Sequence, residues 1–129
     1  MVKLFRLISF LIFLTLLGLN AKLTAQNDPK NDSVSFGRAS YYHDKFVGRK
    51  TSNGEIFSQE KFTAAHKTLA LGTYVKVTNL KNRKSVIVKV NDRLPANSKR
   101  TIDLTKAAAR QLKMIRSGLA KVSLEVVEK

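Results

Sequence analysis

The chain has 129 residues, with 24 Lys and Arg against 9 Asp and Glu, and no cysteine. The missing cysteine excludes disulfides, thiolate metal sites, thiol catalysis and a lipid-modified N-terminal Cys. A formal charge of +15 points either to polyanionic partners or to a generally solvated basic surface.

The chain opens MVKLFRLISFLIFLTLLGLNAKLTAQ, with Lys3 and Arg6 ahead of an apolar run from Leu7 to Leu19 and the small residue Ala25 beyond it. That run has 13 residues, and a spanning helix needs about 20. The expectation is a signal peptide over residues 1–25, removed on export, rather than a retained anchor. Its removal takes away Lys3, Arg6 and Lys22 and no acid, so the exported protein stays strongly basic. Outside the inner membrane the available polyanions are cell wall, acidic lipid and lipopolysaccharide, not nucleic acid. About 100 residues then remain, enough for one small domain.

Residues 26–34, QNDPKNDSV, are polar, contain Pro29 and read as a linker. From Phe36, apolar Ala39 and Tyr41 mixed with Gly37 and Gly48 predict a strand followed by a turn-rich loop, and Asn53-Gly54 marks a tight turn. TYVKV at 73–77 alternates, with Val75 and Val77 on one face and Tyr74 and Lys76 on the other. KNRK at 81–84 turns the chain into the β-branched run SVIVKV at 85–90, which completes a hairpin. Asp103 or Thr105 is placed to cap a helix over Lys106 to Leu112, with Gly118 as its stop. A last strand spans Ala120 to Val127, where Val122, Leu124 and Val126 alternate with Lys121, Ser123 and Glu125. Many short strands and one short helix suggest a small closed β-barrel, without choosing its topology.

Two of the few acids stand in NDRLPANSKRTIDL, residues 91–104: Asp92 beside Arg93, and Asp103 between Ile102 and Leu104. By residue chemistry alone Asp92 is a loop acid accepting backbone N–H bonds, and Asp103 is a helix cap. Glu55 after the turn reads as solvated, and His66 as a satisfied, half-buried histidine. With two histidines and no cysteine, a metal site is not expected, and His43 reads as a surface residue. Tyr41, Tyr42 and Phe46 suit either barrel packing or a sugar-stacking surface.

The runs GRASYYHDKFVGRKTSNGEIF, TAAHKTLALGTYVKVTNL, VKVNDRLP and RTIDLTKAAARQL, followed by a terminal VSLEVV, together resemble the rare lipoprotein A family of bacterial cell-envelope proteins. The match covers nearly all of residues 35–127. It implies a mainly β fold, a six-stranded double-psi β-barrel over 35–128 with one or two short helices. It also implies lytic transglycosylase activity on peptidoglycan glycan strands, often those without stem peptides, leaving 1,6-anhydro-muramic acid ends. Positions that matter for activity in that family fall on Glu55, His66 and Asp92. Asp103 resembles the Asp of related double-psi barrels, membrane-bound lytic transglycosylase A and the expansins. Tyr41, Tyr42, Asn53 and Arg93 become the implied substrate contacts, with no cofactor. The implied partner is peptidoglycan; the expectation is a monomer, exported to the periplasm or cell envelope and without a lipid anchor or stable membrane span. The rivals are a non-catalytic, expansin-like wall-loosening module and a periplasmic partner-binding protein.

The chain departs from the family pattern at Leu94, where Asp-Arg-Gly-Pro is usual, so a residue free to take positive φ is exchanged for one that is not. Ser52 and Thr105 stand where Ala and Ser are more common. The sporulation-related repeat that many members carry after the barrel is not in this sequence, so septal targeting is not expected from it.

Overall fold

A computed structural model describes residues 34–128; the expected signal peptide, and the linker up to residue 33, lie outside them. Six strands close into a barrel in the order β1-β5-β2-β4-β3-β6. They are β1 (Val34–Tyr41), β2 (Thr63–His66), β3 (Tyr74–Asn79), β4 (Ser85–Arg93), β5 (Ile102–Leu104) and β6 (Ala120–Val127). One short helix, α1 (Lys106–Gln111), lies between β5 and β6, and a 3-10 turn covers Asp44–Phe46. β1 runs parallel to β5 and β2 parallel to β4; the remaining pairs are antiparallel. Closure leaves no free sheet edge.

The alternation expected in β3 holds, since Val75 and Val77 are fully buried, facing Val86, Val88 and Val90 of β4 inside the barrel. Ala39, Ala64, Ile102, Leu104, Val122 and Leu124 complete the interior. Ala108, Ala109 and Leu112 of α1 and its C-terminal flank pack against this core.

α1 starts at Thr105, not Asp103: the Thr105 side chain accepts the Ala108 N–H and also donates to Lys61 O at 2.5 Å. The helix stops earlier than Gly118. Lys113 N–H bonds to Arg110 O and Met114 N–H to Ala109 O, with Lys113 at φ 54°, the bond pattern of a Schellman end. A Lys thus occupies the left-handed position that Gly usually takes, while buried Met114 closes the turn. Gly118 instead ends the following turn, its N–H on Met114 O.

β4 runs three residues past the expected strand end at Val90, and the extra length builds the site. Ala64 pairs with Val90, but Ala65 pairs with Asp92, so Asn91 is a bulge residue. A bulge next to an active groove re-aims the side chain that follows it, and here that side chain is Asp92. Asn91 is itself buried, with an Oδ1 that finds no hydrogen-bond partner among the described residues.

Candidate active site

Register alone lines up the chemistry. Ser40 on β1 pairs with Asp103 on β5, Asp103 with Ala65 on β2, and Ala65 with Asp92 on β4. Their sequence neighbours Ala39, Ile102, Leu104 and Ala64 fill the interior, and the Asn91 bulge turns Asp92 away from the interior Val90, so this row lies on the outer face of four adjacent strands. Strands lie about 4.8 Å apart, which sets the two aspartates about 10 Å apart along the backbone, with the methyl of Ala65 between them. A groove of about 570 Å³ runs over the row, bordered by Tyr41, Tyr42, Phe46, Arg93 and Arg100.

The two carboxylates are held differently. Both oxygens of Asp92 are engaged: Tyr42 Oη donates to Oδ2 at 2.6 Å, and the Ser52 N–H and Oγ donate to Oδ1 at 3.0 and 2.7 Å. Burial pushes the Asp92 pKa up, but donation from Tyr42, Ser52 and the Arg93 backbone outweighs it and holds the group below the ordinary carboxylate value. In turn burial, then the bond to Asp92 and its charge, push the Tyr42 phenol well up, so it remains a donor. Asp103 has one oxygen tied to the Ser40 hydroxyl, and the other meets the half-exposed Arg100 guanidinium at 3.3 Å. Asp103 thus has one hydroxyl and one half-exposed guanidinium against the three donors on Asp92.

Tyr42 is buried, stacked at 4.3 Å on Phe57 and edge-on to Phe46 at 5.8 Å, with Ala65 and Leu94 in the same cluster. It is therefore more a wall that orients Asp92 than an open sugar platform. Tyr41 is half-buried and hydrogen-bonds Ile115 O at 2.8 Å. The exchange at Leu94 has a plain outcome: Leu94 is absent from the positive-φ residues, and its buried side chain roofs Ala65. The loop after Asp92 needs no glycine here.

Glu55, Asn53 and His66 do not line this groove. Glu55 and Asn53 belong to the 51–55 turn that docks on β4, with Asn53 N–H on Asn91 O and Ser52 on Asp92. Donation from Lys89 first, and then Asn53, lowers the Glu55 pKa, so it stays a charged strut between turn and strand. His66 lines a different cavity, of about 390 Å³, with Phe36 and Thr101. Its Nδ1 accepts the N–H groups of Thr68 and Leu69 at 3.1 and 3.0 Å. Arg93 donates to His66 O and Leu69 O at 3.2 and 2.5 Å, bracing the same loop from the groove side. Sequence reading missed Ser40, Arg100 and Lys89 as partners of the acids. Only Arg100, three residues before Asp103, carried a local signal.

His66 makes an expected pH effect. Burial first, then the charges of Arg93 and Lys67, lower its pKa from the ordinary 6.5. The unfolded chain therefore takes up a proton at a higher pH than the folded one. Its stabilising contribution is complete above about pH 6.5 and declines as pH falls towards the lowered folded value. The unfolding temperature of the wild type should fall as pH drops below about 6.5, and His66→Gln should flatten that slope. Loss from Asp92 and Glu55 comes lower, below the ordinary carboxylate range of about 4.

Among the described residues no group of three or more His, Cys, Asp or Glu is placed to hold a metal ion, and no helix is long and apolar enough to cross a membrane.

The comparisons bear on this geometry. The family described as lytic transglycolase matches residues 34–124. An endolytic peptidoglycan transglycosylase RlpA from Pasteurella multocida is 52% identical over 92 residues, covering 71% of this chain and 31% of that protein. The protein of that name from Neisseria meningitidis serogroup A is 52% identical over 102 residues, covering 77% and 43%. That from Campylobacter jejuni is 56% identical over 91 residues, covering 70% and 33%. The chain thus spans about a third to two-fifths of the length of these relatives. Among solved structures, the Streptomyces papain inhibitor matches 74% of this chain and 94% of its own at TM-score 0.60 and 22% identity. A mutant expansin from Clavibacter michiganensis in complex with cellohexaose matches 74% and 50% at TM-score 0.58 and 21% identity. These two likenesses show a shared double-psi barrel fold.

Proposed function

The chain belongs to the lytic transglycolase family, and from that premise we propose that it cleaves the glycan strands of peptidoglycan, leaving 1,6-anhydro-muramic acid ends. The observation that carries this reading is the Asp103–Ala65–Asp92 row lining a groove, with Ser40 paired to Asp103 beside it. Relatives over this stretch are named endolytic peptidoglycan transglycosylases, and an expansin of the same fold accommodates a linear β-glucan. Cleavage of this kind takes place outside the inner membrane, where the signal peptide expected at residues 1–25 would direct the chain.

Intramolecular displacement needs one carboxyl that first gives and then takes a proton. We assign that role to Asp103: its Oδ2, once substrate displaces the half-exposed Arg100, protonates the glycosidic oxygen as the C1–O bond breaks. The 6-hydroxyl of the same muramoyl ring then bonds to C1, and its proton returns to Asp103. Asp92, kept ionised by three donors across the groove, faces the positive charge that develops at C1. Tyr41 and Phe46 border the sugar path, and Arg93 supplies a fixed positive rim. Glu55, Asn53 and His66 act through the 51–55 turn and the 66–69 loop, positioning Asp92 and Arg93 rather than touching sugar.

Mass spectrometry of soluble products after incubation with intact and amidase-stripped peptidoglycan tests the reaction. Anhydro ends are expected. Reducing ends would replace the proposal by hydrolysis, with Asp92 activating water. Pelleting on sacculi without products would leave a wall-binding barrel, the expansin-like alternative.

A further inference from the structure

A cavity of about 860 Å³, larger than the groove, forms a basin between the β3–β4 turn and the segment joining α1 to β6. Its charged lining is entirely cationic: Lys81, Lys113, Arg116 and Lys121, with Leu80 and Leu119 exposed beside them. None of the four cations forms an ion pair among the described residues. The basin is firmly built, since Asn79 and Asn82 both donate to Leu112 O, at 2.9 and 3.0 Å, and pin the hairpin turn to the helix end.

Two features set it apart from an ordinary solvated surface. Like charges gathered around one concavity repel each other, and nothing acidic intervenes to offset this. Lys113 moreover stands at φ 54°, where Gly would fit without strain, and Arg83 at φ 61° repeats this on the neighbouring turn. The helix end does not require the Lys113 charge: α1 has six residues, and the Leu112 carbonyl is already doubly bonded by the asparagines. One hydrogen bond ties the groove wall to the hollow beside the basin. Tyr41, on the groove wall, donates to Ile115 O; Ile115 lines a smaller hollow of about 360 Å³ together with Lys113 and Arg116.

We propose that this basin is a second binding site for the wall polymer, taking carboxylates carried on the same strand that occupies the groove. The proposal rests on the reading of the groove as a glycan-cleaving site. A strand leaving the groove at Tyr41 passes over Ile115 and brings its carboxylates to the four cations. The basin thereby adds affinity for long, acid-bearing polymer and nothing to the chemical step.

The test uses the full-length chain, a Lys113→Glu/Arg116→Glu double variant, and Lys113→Gly. Sacculus pelleting at low salt should weaken about tenfold in the double variant, the sum of a few exposed charge contacts removed and reversed. KM for long strands should rise in parallel, while kcat on a short oligosaccharide stays unchanged. Lys113→Gly should unfold at a higher temperature yet bind sacculi more weakly, which separates charge from folding. Wild type should bind carbodiimide-amidated sacculi as poorly as the double variant binds native ones. Unchanged pelleting, or an equal further loss on amidated sacculi, would overturn the proposal. So would a loss confined to phosphatidylglycerol vesicles or polyphosphate, which would assign the basin to phosphate-bearing partners. If no protein yields products, the glycan-cleaving reading fails by itself, and the pelleting arms still decide the basin.

Discussion

Asp103→Asn should lose about a thousandfold in product formation, the range expected when a positioned acid–base group is removed, while unfolding within a few degrees of the wild type. The small structural cost follows from its partners. The Ser40 hydroxyl can still donate to an amide oxygen, and Arg100, half exposed, returns to water. Asp92→Asn should behave differently. Three donors converge on its two oxygens, so an amide NH2 must face one of them and leave that donor unmet. That costs about 2 kcal/mol, or on the order of 10 °C in a domain of this size. Activity would fall with it, because the Ser52 turn and Tyr42 lose their common anchor. Product yield and thermal unfolding measured on both variants check the division of roles. If Asp92→Asn kept full stability and lost all activity, while Asp103→Asn kept activity, the assignment of acid and anchor would be reversed.

Gly37→Ala should be the most damaging small substitution in the barrel. A Cβ at residue 37 would stand 2.1 Å from Thr101 Oγ1 and 2.6 Å from Thr101 Cβ. Neither can yield easily, because Thr101 leads directly into β5 and its N–H is held by Arg38 O at 2.9 Å. β1 must then shift against β5, at a cost of about 1–3 kcal/mol from overpacking. The same shift would disturb the Ser40–Asp103 register three residues along, so activity should drop with stability. Thr101→Gly in the Gly37→Ala background should restore both. Thr101→Ala should not, since the offending Cβ remains. Unfolding midpoints and product yields across the four proteins decide this.

Gly37 also shows where sequence reading stops. It is not in a turn, and only the parallel approach of β5, contributed by residues more than sixty positions away, makes its bare Cα necessary. β2 and β5 were hidden for a related reason. They have four and three residues, and every one is buried, so neither shows the period of two by which β3, β4 and β6 announce themselves. Those two short strands lie at the centre of the row that forms the site. The spacing of Asp92 and Asp103 along the chain says nothing of their distance in space; the bulge at Asn91 and the pairing through Ala65 set it. His66 and Glu55 matched a family pattern but do not line the groove; two backbone N–H groups hold one and Lys89 holds the other.

The sequence by itself determined the basic balance, the absence of thiol chemistry, the alternating strands at 73–77, 85–90 and 120–127, the helix after Thr105 and, by its motifs, the family. Each of these is carried by local periodicity, capping chemistry or composition, which act between near neighbours along the chain. Which partners hold each aspartate, where the Leu94 side chain packs, and that four cations without an ion pair among the described residues share one basin were decided only by tertiary structure. They depend on pairings between distant strands, where a single residue's register moves a side chain from one face to the other.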